Sequence, residues 1–199
     1  AMMISDGRVK AIGDPETVSQ EYTMENMEVE RSKEDRLKKE KGTYANGLNE
    51  RCPLLRTTPV SSTLCSGEEP FVFEVEYQYD EPGDFYLAIA LHDLRRGGIT
   101  YDSGPKVFRI KEHGHRKVRF ALPLGLFNNG EFRLITSLRT PSPDDPTMTD
   151  AVGVALDQNA CDFAIRNKRN GNYALLNDSA VRFTVVDDGV DVVGPARRK

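Results

Sequence analysis

Long apolar runs, paired cysteines and an excess of basic residues are all absent from this sequence of 199 residues. No stretch approaches the ~20 apolar residues that a transmembrane helix needs, and the amino end lacks the apolar segment of a signal peptide. We therefore expect a soluble, cytoplasmic protein. The formal net charge of -4 gives no sign of the basic face that nucleic-acid binding requires, so no nucleic-acid partner is expected.

The cysteines Cys52, Cys65 and Cys161 are too few, and odd in number, for the disulfide framework of a small secreted domain. None belongs to a Cys-x-x-Cys pair, and the histidines show no ligand spacing with them, so we expect no metal site. The simplest interpretation is that all three are free thiols, buried or half-buried in the fold.

Motifs for nucleotide binding and for common hydrolases are missing as well. The chain contains no GxxxxGK(S/T) phosphate loop, no GxGxxG after a strand and no GxSxG nucleophile turn. Acidic residues such as Asp84 and Asp102 lie in predicted turns, and we interpret them as solvated carboxylates. A glycan-modifying enzyme with two distant carboxylates stays a third alternative, but we expect neither catalysis nor a cofactor in this chain.

Residues 1–27 carry the signals of a hairpin followed by a helix. Apolar residues between Met2 and Ile12 flank a Ser-Asp-Gly turn, and Asp-Gly supplies the positive φ of a tight hairpin. Asp14 can cap a helix that begins at Pro15, and Val18 and Tyr22 mark its apolar side.

Residues 28–45 differ sharply in composition from the segments on either side. Between Glu28 and Lys41, eleven of fourteen residues are charged, five acidic and six basic. Acidic residues stand four positions before basic ones, which supports an exposed helix. We interpret this segment as a charged helical spacer, because it has too few apolar residues to bury.

Residues 46–199 have the composition of an all-β domain. Residues 71–79 (FVFEVEYQY) alternate between apolar and polar, which is typical of a half-buried strand. A second strand at 84–92 (DFYLAIALH) places Phe85, Leu87, Ile89 and Leu91 on the core side. Further strands are predicted at 99–102, 106–111, 116–122, 131–139, 160–166 and 180–186. Many short strands favour an antiparallel β-sandwich, and residues 140–158 are predicted to form a long loop.

The outward side of the second strand offers the best candidate binding surface. Two alanines between a tyrosine and a histidine predict a shallow floor with taller walls, formed by Tyr86, Ala88, Ala90 and His92. If residues 131–139 lie in the same sheet, they add Glu131, Arg133, Ile135, Ser137 and Arg139; the first strand would add Glu74, Glu76 and Gln78. Rings stack on sugar faces and planar polar groups bind hydroxyl pairs, so this surface suits a polyhydroxylated ligand. The alternatives are a solvated face, or a face covered by another strand or a second subunit.

The connection after the second strand, residues 92–102 (HDLRRGGITYD), is rich in polar and aromatic side chains. Binding residues concentrate on such loops, so Asp93 and Tyr101 join the candidate glycan-binding set. The alternative is an ordinary turn in which Arg95 and Arg96 only contact solvent.

Two parts of the chain resemble known proteins. The segment DGRVKAIGDPETVSQEY at residues 6–22 resembles the closing strand pair and helix of ABC-transporter ATPase domains. The later segments LAIALHD at 87–93, GITYDS at 98–103 and the run at 122–134 resemble the carboxyl-terminal domain of Wzt-type O-antigen ABC transporters.

The resemblance implies an immunoglobulin-like sandwich that binds O-antigen polysaccharide near its non-reducing end and couples recognition to export. It also implies a homodimer at the cytoplasmic side of the inner membrane, with exchange of the last strand at 180–186 and contact with a membrane-spanning subunit through the ATPase domain. ATP and Mg would belong to the full-length parent. Because the chain has no tryptophan, stacking on sugars falls to tyrosine and histidine. The alternative is a structural or regulatory domain that dimerises the ATPase without binding glycan.

Overall fold

The computed structural model describes residues 1–5, 7–15, 18–19, 21–22, 25, 44–145, 147–172 and 174–176. Within these ranges, no helix is long and apolar enough to span a membrane. Apart from its last two residues, the predicted spacer lies outside the described residues. The same holds for the predicted last strand at 180–186 and for its exchange between subunits.

The amino-terminal hairpin is confirmed. Strands β1 (Met2–Ser5) and β2 (Arg8–Ile12) pair antiparallel, and Gly7 takes a φ of 71° in the turn between them. The N–H of Val18 donates to the carbonyl of Asp14 at 3.1 Å, so the helix begins where the sequence predicts. Val18 is buried, but Tyr22 is 56% exposed and does not lie on a buried side as expected.

Ten strands follow in the part of the chain that the structure describes, and they form two sheets. The strands are β3 (Leu54–Pro59), β4 (Leu64–Cys65), β5 (Phe71–Tyr79), β6 (Phe85–Asp93), β7 (Ile99–Asp102), β8 (Phe108–Ile110), β9 (Gly114–Leu122), β10 (Gly130–Pro141), β11 (Thr149–Val154) and β12 (Cys161–Ile165). The smaller sheet has the order β3-β5-β9. In the larger sheet the order is β4-β12-β10-β6, β11 pairs with β10, and β7 and β8 pair with β6. All pairs are antiparallel except β12 with β4.

Alternating side chains bring the two sheets face to face around an aromatic core. Every second residue of β5 is buried, and so are the predicted core residues of β6. The ring centroids of Phe71 and Phe163, on opposite sheets, lie 4.4 Å apart, and those of Tyr79 and Phe85 lie 4.9 Å apart. Offset aromatic pairs at such distances stabilise a core beyond the area they bury. The predicted all-β class is confirmed.

One polar contact crosses the core. The hydroxyls of Thr57 on β3 and Thr136 on β10 lie 2.9 Å apart, and the two residues are only 1% and 0% exposed. A buried hydroxyl needs a hydrogen-bond partner, so each threonine satisfies the other and fixes how β3 lies across β10.

The prediction of a long loop at residues 140–158 is wrong. Strand β10 continues to Pro141, and β11 returns antiparallel beside it. The sequence of β11 hides its strand character, because Gly153 takes a buried position under another side chain. A Cβ at Gly153 would lie 2.6 Å from the Sγ of Cys52, so only glycine allows this approach. The short strands β3 and β4 also escaped prediction.

The cysteines are free thiols, as predicted: Cys52 and Cys161 are buried and Cys65 is half-buried. Burial raises the pKa of Cys52 and of Cys65 to about 11. Both thiols therefore stay protonated near neutral pH, and a protonated thiol is a poor nucleophile.

Replacing Thr136 with valine should lower the free energy of unfolding by about 1–3 kcal/mol, because it leaves the hydroxyl of Thr57 buried without a partner. Urea unfolding of both single variants and of the double variant Thr57→Val/Thr136→Val would measure this. The double variant should recover most of the loss, since both polar groups are then gone. Additive losses in the double variant would contradict this account.

Candidate functional site

The candidate surface is assembled by the pairing of β6 with β10. The register sets His92 opposite Arg133, Ala90 opposite Ile135, Ala88 opposite Ser137 and Tyr86 opposite Arg139. Residues directly opposite one another in an antiparallel pair share a face of the sheet. The condition that residues 131–139 lie in the same sheet as the second strand is therefore met.

Five of these residues, Ala88, Ala90, Ile135, Ser137 and Arg139, line a groove of about 330 Å³ on the outer face of the larger sheet. This volume lies at the lower end of the ~300–1,000 Å³ typical of small-molecule sites. The two alanines, Ala88 and Ala90, form the floor, because a methyl group leaves room that a larger side chain would fill. The walls are formed by Asp102, Pro105, Ile135, Ser137, Arg139 and Val154.

Three polar groups of different chemistry border the apolar floor. The guanidinium of Arg139 donates from Nε to the hydroxyl of Thr149 at 2.9 Å and from Nη2 to its carbonyl at 2.7 Å. The carboxylate of Asp102 accepts from the N–H of Gly104 at 2.7 Å. Ser137 adds a hydroxyl. A cation, a carboxylate and a hydroxyl thus surround a small apolar patch, each in a position set by a strand or a turn.

Asp102 is a member of this groove that the sequence does not single out. It lies on β7 directly opposite Ala90 of β6, and the register shifts only beyond the next pair, between Leu91 and His92. Its interpretation as a solvated turn carboxylate misses this position, because nothing local shows which strand lies beside it. The register of β7 on β6 is the signal that places it.

Three predicted site residues, Tyr86, His92 and Arg133, lie on the same outward rows but do not line the groove. Tyr86 follows Ala88 along β6 and stands between Arg139 on β10 and Arg109 on β8. In the other direction, His92 lies beside Arg133, whose guanidinium binds the carboxylate of Asp162 through two contacts of 2.8 and 2.9 Å. That ion pair holds Arg133 in place on the outer face.

Two further predicted site residues, Tyr101 and Asp93, lie on the core side of the sheet and not on its outer face. Tyr101 pairs with the core-facing Leu91 and therefore shares the opposite side of the sheet, where it is 43% exposed. The carboxylate of Asp93 has no exposed area. Neither side chain contributes to the groove.

The expectation that the strand at residues 71–79, which is β5, adds side chains to this surface is wrong. Strand β5 belongs to the smaller sheet, so its outward side chains Glu74, Glu76 and Gln78 face the other side of the molecule. Glu74 pairs there with Arg119 at 2.6 Å, and Glu76 lies 2.7 Å from His115. Alternation identifies the outward face correctly but carries no information on which sheet it belongs to.

Asp93 and Arg96 hold the connection between β6 and β7 in place. The Asp93 carboxylate accepts from the N–H groups of Arg95 and Arg96 at 2.9 and 2.7 Å and forms an ion pair with the Arg96 guanidinium. Arg96 also donates to the carbonyls of Asn129, Asn172 and Ala174. The interpretation of Arg96 as merely solvated is wrong, because it joins three separate segments.

Burial of the Asp93 carboxylate by itself raises its pKa. The hydrogen bonds from the backbone and guanidinium of Arg96 and from the N–H of Arg95 outweigh burial, so the pKa lies below its ordinary value. The folded state therefore favours the charged form of Asp93.

Among the described residues, no group of three or more histidine, cysteine or acidic side chains is arranged to hold a metal ion.

Comparisons with protein-family models and with curated proteins find no match for this chain. The binding chemistry of the chain is therefore inferred from the geometry of the groove and from the residues around it.

The lowered pKa of Asp93 predicts that its carboxylate makes a pH-dependent contribution to the free energy of unfolding. That contribution is fully present above about 3.9, the pKa of an aspartate in the unfolded chain. It is lost as the pH falls through the lower pKa of Asp93 in the folded state. The variant Asp93→Asn should be less stable at neutral pH and should lose less stability on acidification. Urea unfolding between pH 2.5 and 7 would measure both slopes. Asp150→Asn, an exposed position on β11, should retain the wild-type slope; equal slopes for wild type and Asp93→Asn would contradict the assignment.

Proposed function

We propose that the groove on the outer face of β6 and β10 binds O-antigen polysaccharide near its non-reducing end and couples its recognition to export by an ABC transporter. The observation that carries the proposal is the alanine floor bordered by Arg139, Asp102 and Ser137. The two antiparallel sheets packed face to face are compatible with the immunoglobulin-like sandwich that the resemblance implies.

The chemistry of the groove suits a sugar ring. One face of a pyranose presents C–H groups, which the methyl floor of Ala88 and Ala90 can contact without losing hydrogen bonds. Its rim presents neighbouring hydroxyls, and a guanidinium or carboxylate binds such pairs with charge-assisted hydrogen bonds, each worth about 1.5–3 kcal/mol. Tyr86 and His92 lie on the same outward row of β6, beyond the two alanines, and supply aromatic rings there, the role left to them in a chain without tryptophan.

The setting follows from the resemblance of residues 6–22 to an ABC ATPase. The domain would act at the cytoplasmic side of the inner membrane in two copies, beside a membrane-spanning subunit, while ATP and Mg act in the ATPase domain of the full-length parent. A shallow groove exchanges its ligand quickly, so we expect weak monovalent affinity. Two copies raise the apparent affinity through effective concentration.

Filling the floor should abolish binding. We expect Ala90→Leu to weaken binding of the cognate polysaccharide at least tenfold, because the larger side chain occupies the space of the sugar ring. Retention on immobilised O-polysaccharides of defined termini, or calorimetry with the same glycans, would measure it. Ala121→Leu, the same change on the exposed outer face of β9, is the matched control and should bind like wild type.

Each other outcome points to a different function. Unchanged binding by Ala90→Leu would remove this groove as the site. Failure of the wild-type chain to bind any O-polysaccharide, together with dimerisation of the chain in sedimentation, would favour the structural or regulatory alternative. New reducing ends in a glycan incubation would favour the glycan-modifying enzyme.

A further inference from the structure

A second cavity, of about 560 Å³, lies where β10 begins and β12 ends. It is larger than the groove and has a different lining, in which asparagines and charged side chains replace the alanine floor. The lining side chains that bear on its chemistry are Arg95, Asn129, Glu131, Arg166, Lys168 and Asn172.

The walls of this cavity are held in place by the chain itself. The side-chain amide of Asn129 donates to the carbonyl of Asn167 at 3.0 Å and to the side-chain oxygen of Asn172 at 2.9 Å, and it accepts from the N–H of Asn167 at 2.7 Å. Arg96 also holds this segment, through hydrogen bonds to the carbonyls of Asn129 and Asn172. A ligand therefore meets walls that are already ordered, which lowers the entropic cost of binding.

The charges in the lining favour an anion. Three cationic side chains, Arg95, Arg166 and Lys168, stand against one carboxylate, that of Glu131. The Glu131 carboxylate is already paired with Arg166, so its negative charge is offset within the wall. The guanidinium of Arg95 is not part of that pair, and a guanidinium binds carboxylate or phosphate through two parallel hydrogen bonds.

Arg95 is the side chain best placed to bind that oxyanion. Its backbone N–H donates to the buried carboxylate of Asp93, so the base of the side chain is fixed. Arg95 is exposed. Among the described residues, no hydrogen bond or ion pair engages its guanidinium. Arg96 beside it has the opposite role, with its guanidinium bound to three carbonyls and to Asp93.

The two cavities lie along one face of one strand. Glu131 borders the second cavity, and Ile135 and Ser137 border the groove; all three alternate outward on β10. At about 3.3 Å per residue, Glu131 and Ser137 are roughly 20 Å apart. A glycan chain of a few sugar units can therefore contact both by passing over the His92–Arg133 pair.

We infer that the second cavity binds the carboxylate or phosphate ester of an acidic sugar, with Arg95 as its main contact. The inference rests on the proposed function for the polymeric nature of the ligand, but the recognition of the acidic group stands on the cavity alone. The side-chain amide of Asn172 also lines the cavity and can donate to a hydroxyl of the same sugar, which distinguishes this site from one for a bare anion.

The test is an NMR chemical-shift titration of the full chain with glucuronic acid, glucose 6-phosphate, glucose and inorganic phosphate. We expect at least one of the two acidic sugars to bind tenfold or more tightly than glucose, and more tightly than inorganic phosphate. Arg95→Gln should remove that preference. Arg116→Gln, an exposed arginine of β9 on the other sheet, is the matched control and should keep it.

Equal affinities for glucose and for both acidic sugars would overturn the inference, and so would an unchanged preference in Arg95→Gln. Binding of inorganic phosphate as tightly as the sugars would overturn the sugar part of it. Failure of the groove proposal can be distinguished from failure of the cavity proposal. The variant Ala90→Leu should no longer bind polysaccharide but should still bind the acidic monosaccharide. Arg95-dependent binding of glucuronic acid by a chain that binds no O-polysaccharide would support the cavity and reject the groove.

Discussion

The antiparallel pairing of β6 with β10 is the constraint on which both faces of the larger sheet depend. The register that sets Leu91 opposite Leu134 in the core also sets Ala90 opposite Ile135 on the outer face. A slip of one residue would turn the core side chains to solvent and remove the groove in the same step. Burial of the core side chains therefore stabilises the strand register that also forms the candidate site.

A second constraint links the outer face to its surrounding loops. The guanidinium of Arg96, whose side chain is 23% exposed, pairs with the fully buried carboxylate of Asp93 and donates to three carbonyls. Removing Arg96 would leave the Asp93 carboxylate buried without its ion-pair partner, which is destabilising. This pair thus stabilises the β6–β7 connection and the polar cavity together, and leaves the neighbouring Arg95 exposed.

Strands with regular alternation were the part of the fold that could be predicted. The bounds of β5 and β7 match the prediction, and those of β6 differ by one residue. Two of the missed strands, β3 and β11, break the pattern for identifiable reasons. In β3 a core position is taken by Thr57, whose hydroxyl pairs with that of Thr136 far along the chain. In β11 a core position is taken by Gly153, which has no side chain to signal burial.

By itself the sequence determined which side chains share a face of a strand, because alternation is a local property of extended backbone. That was enough to bring Tyr86, Ala88, Ala90 and His92 together. Only the tertiary structure decided which faces become neighbours, because strand pairing depends on packing between residues distant in the chain. It placed Glu74 on the other sheet and Asp102 beside the alanine floor, and no local pattern carries that information.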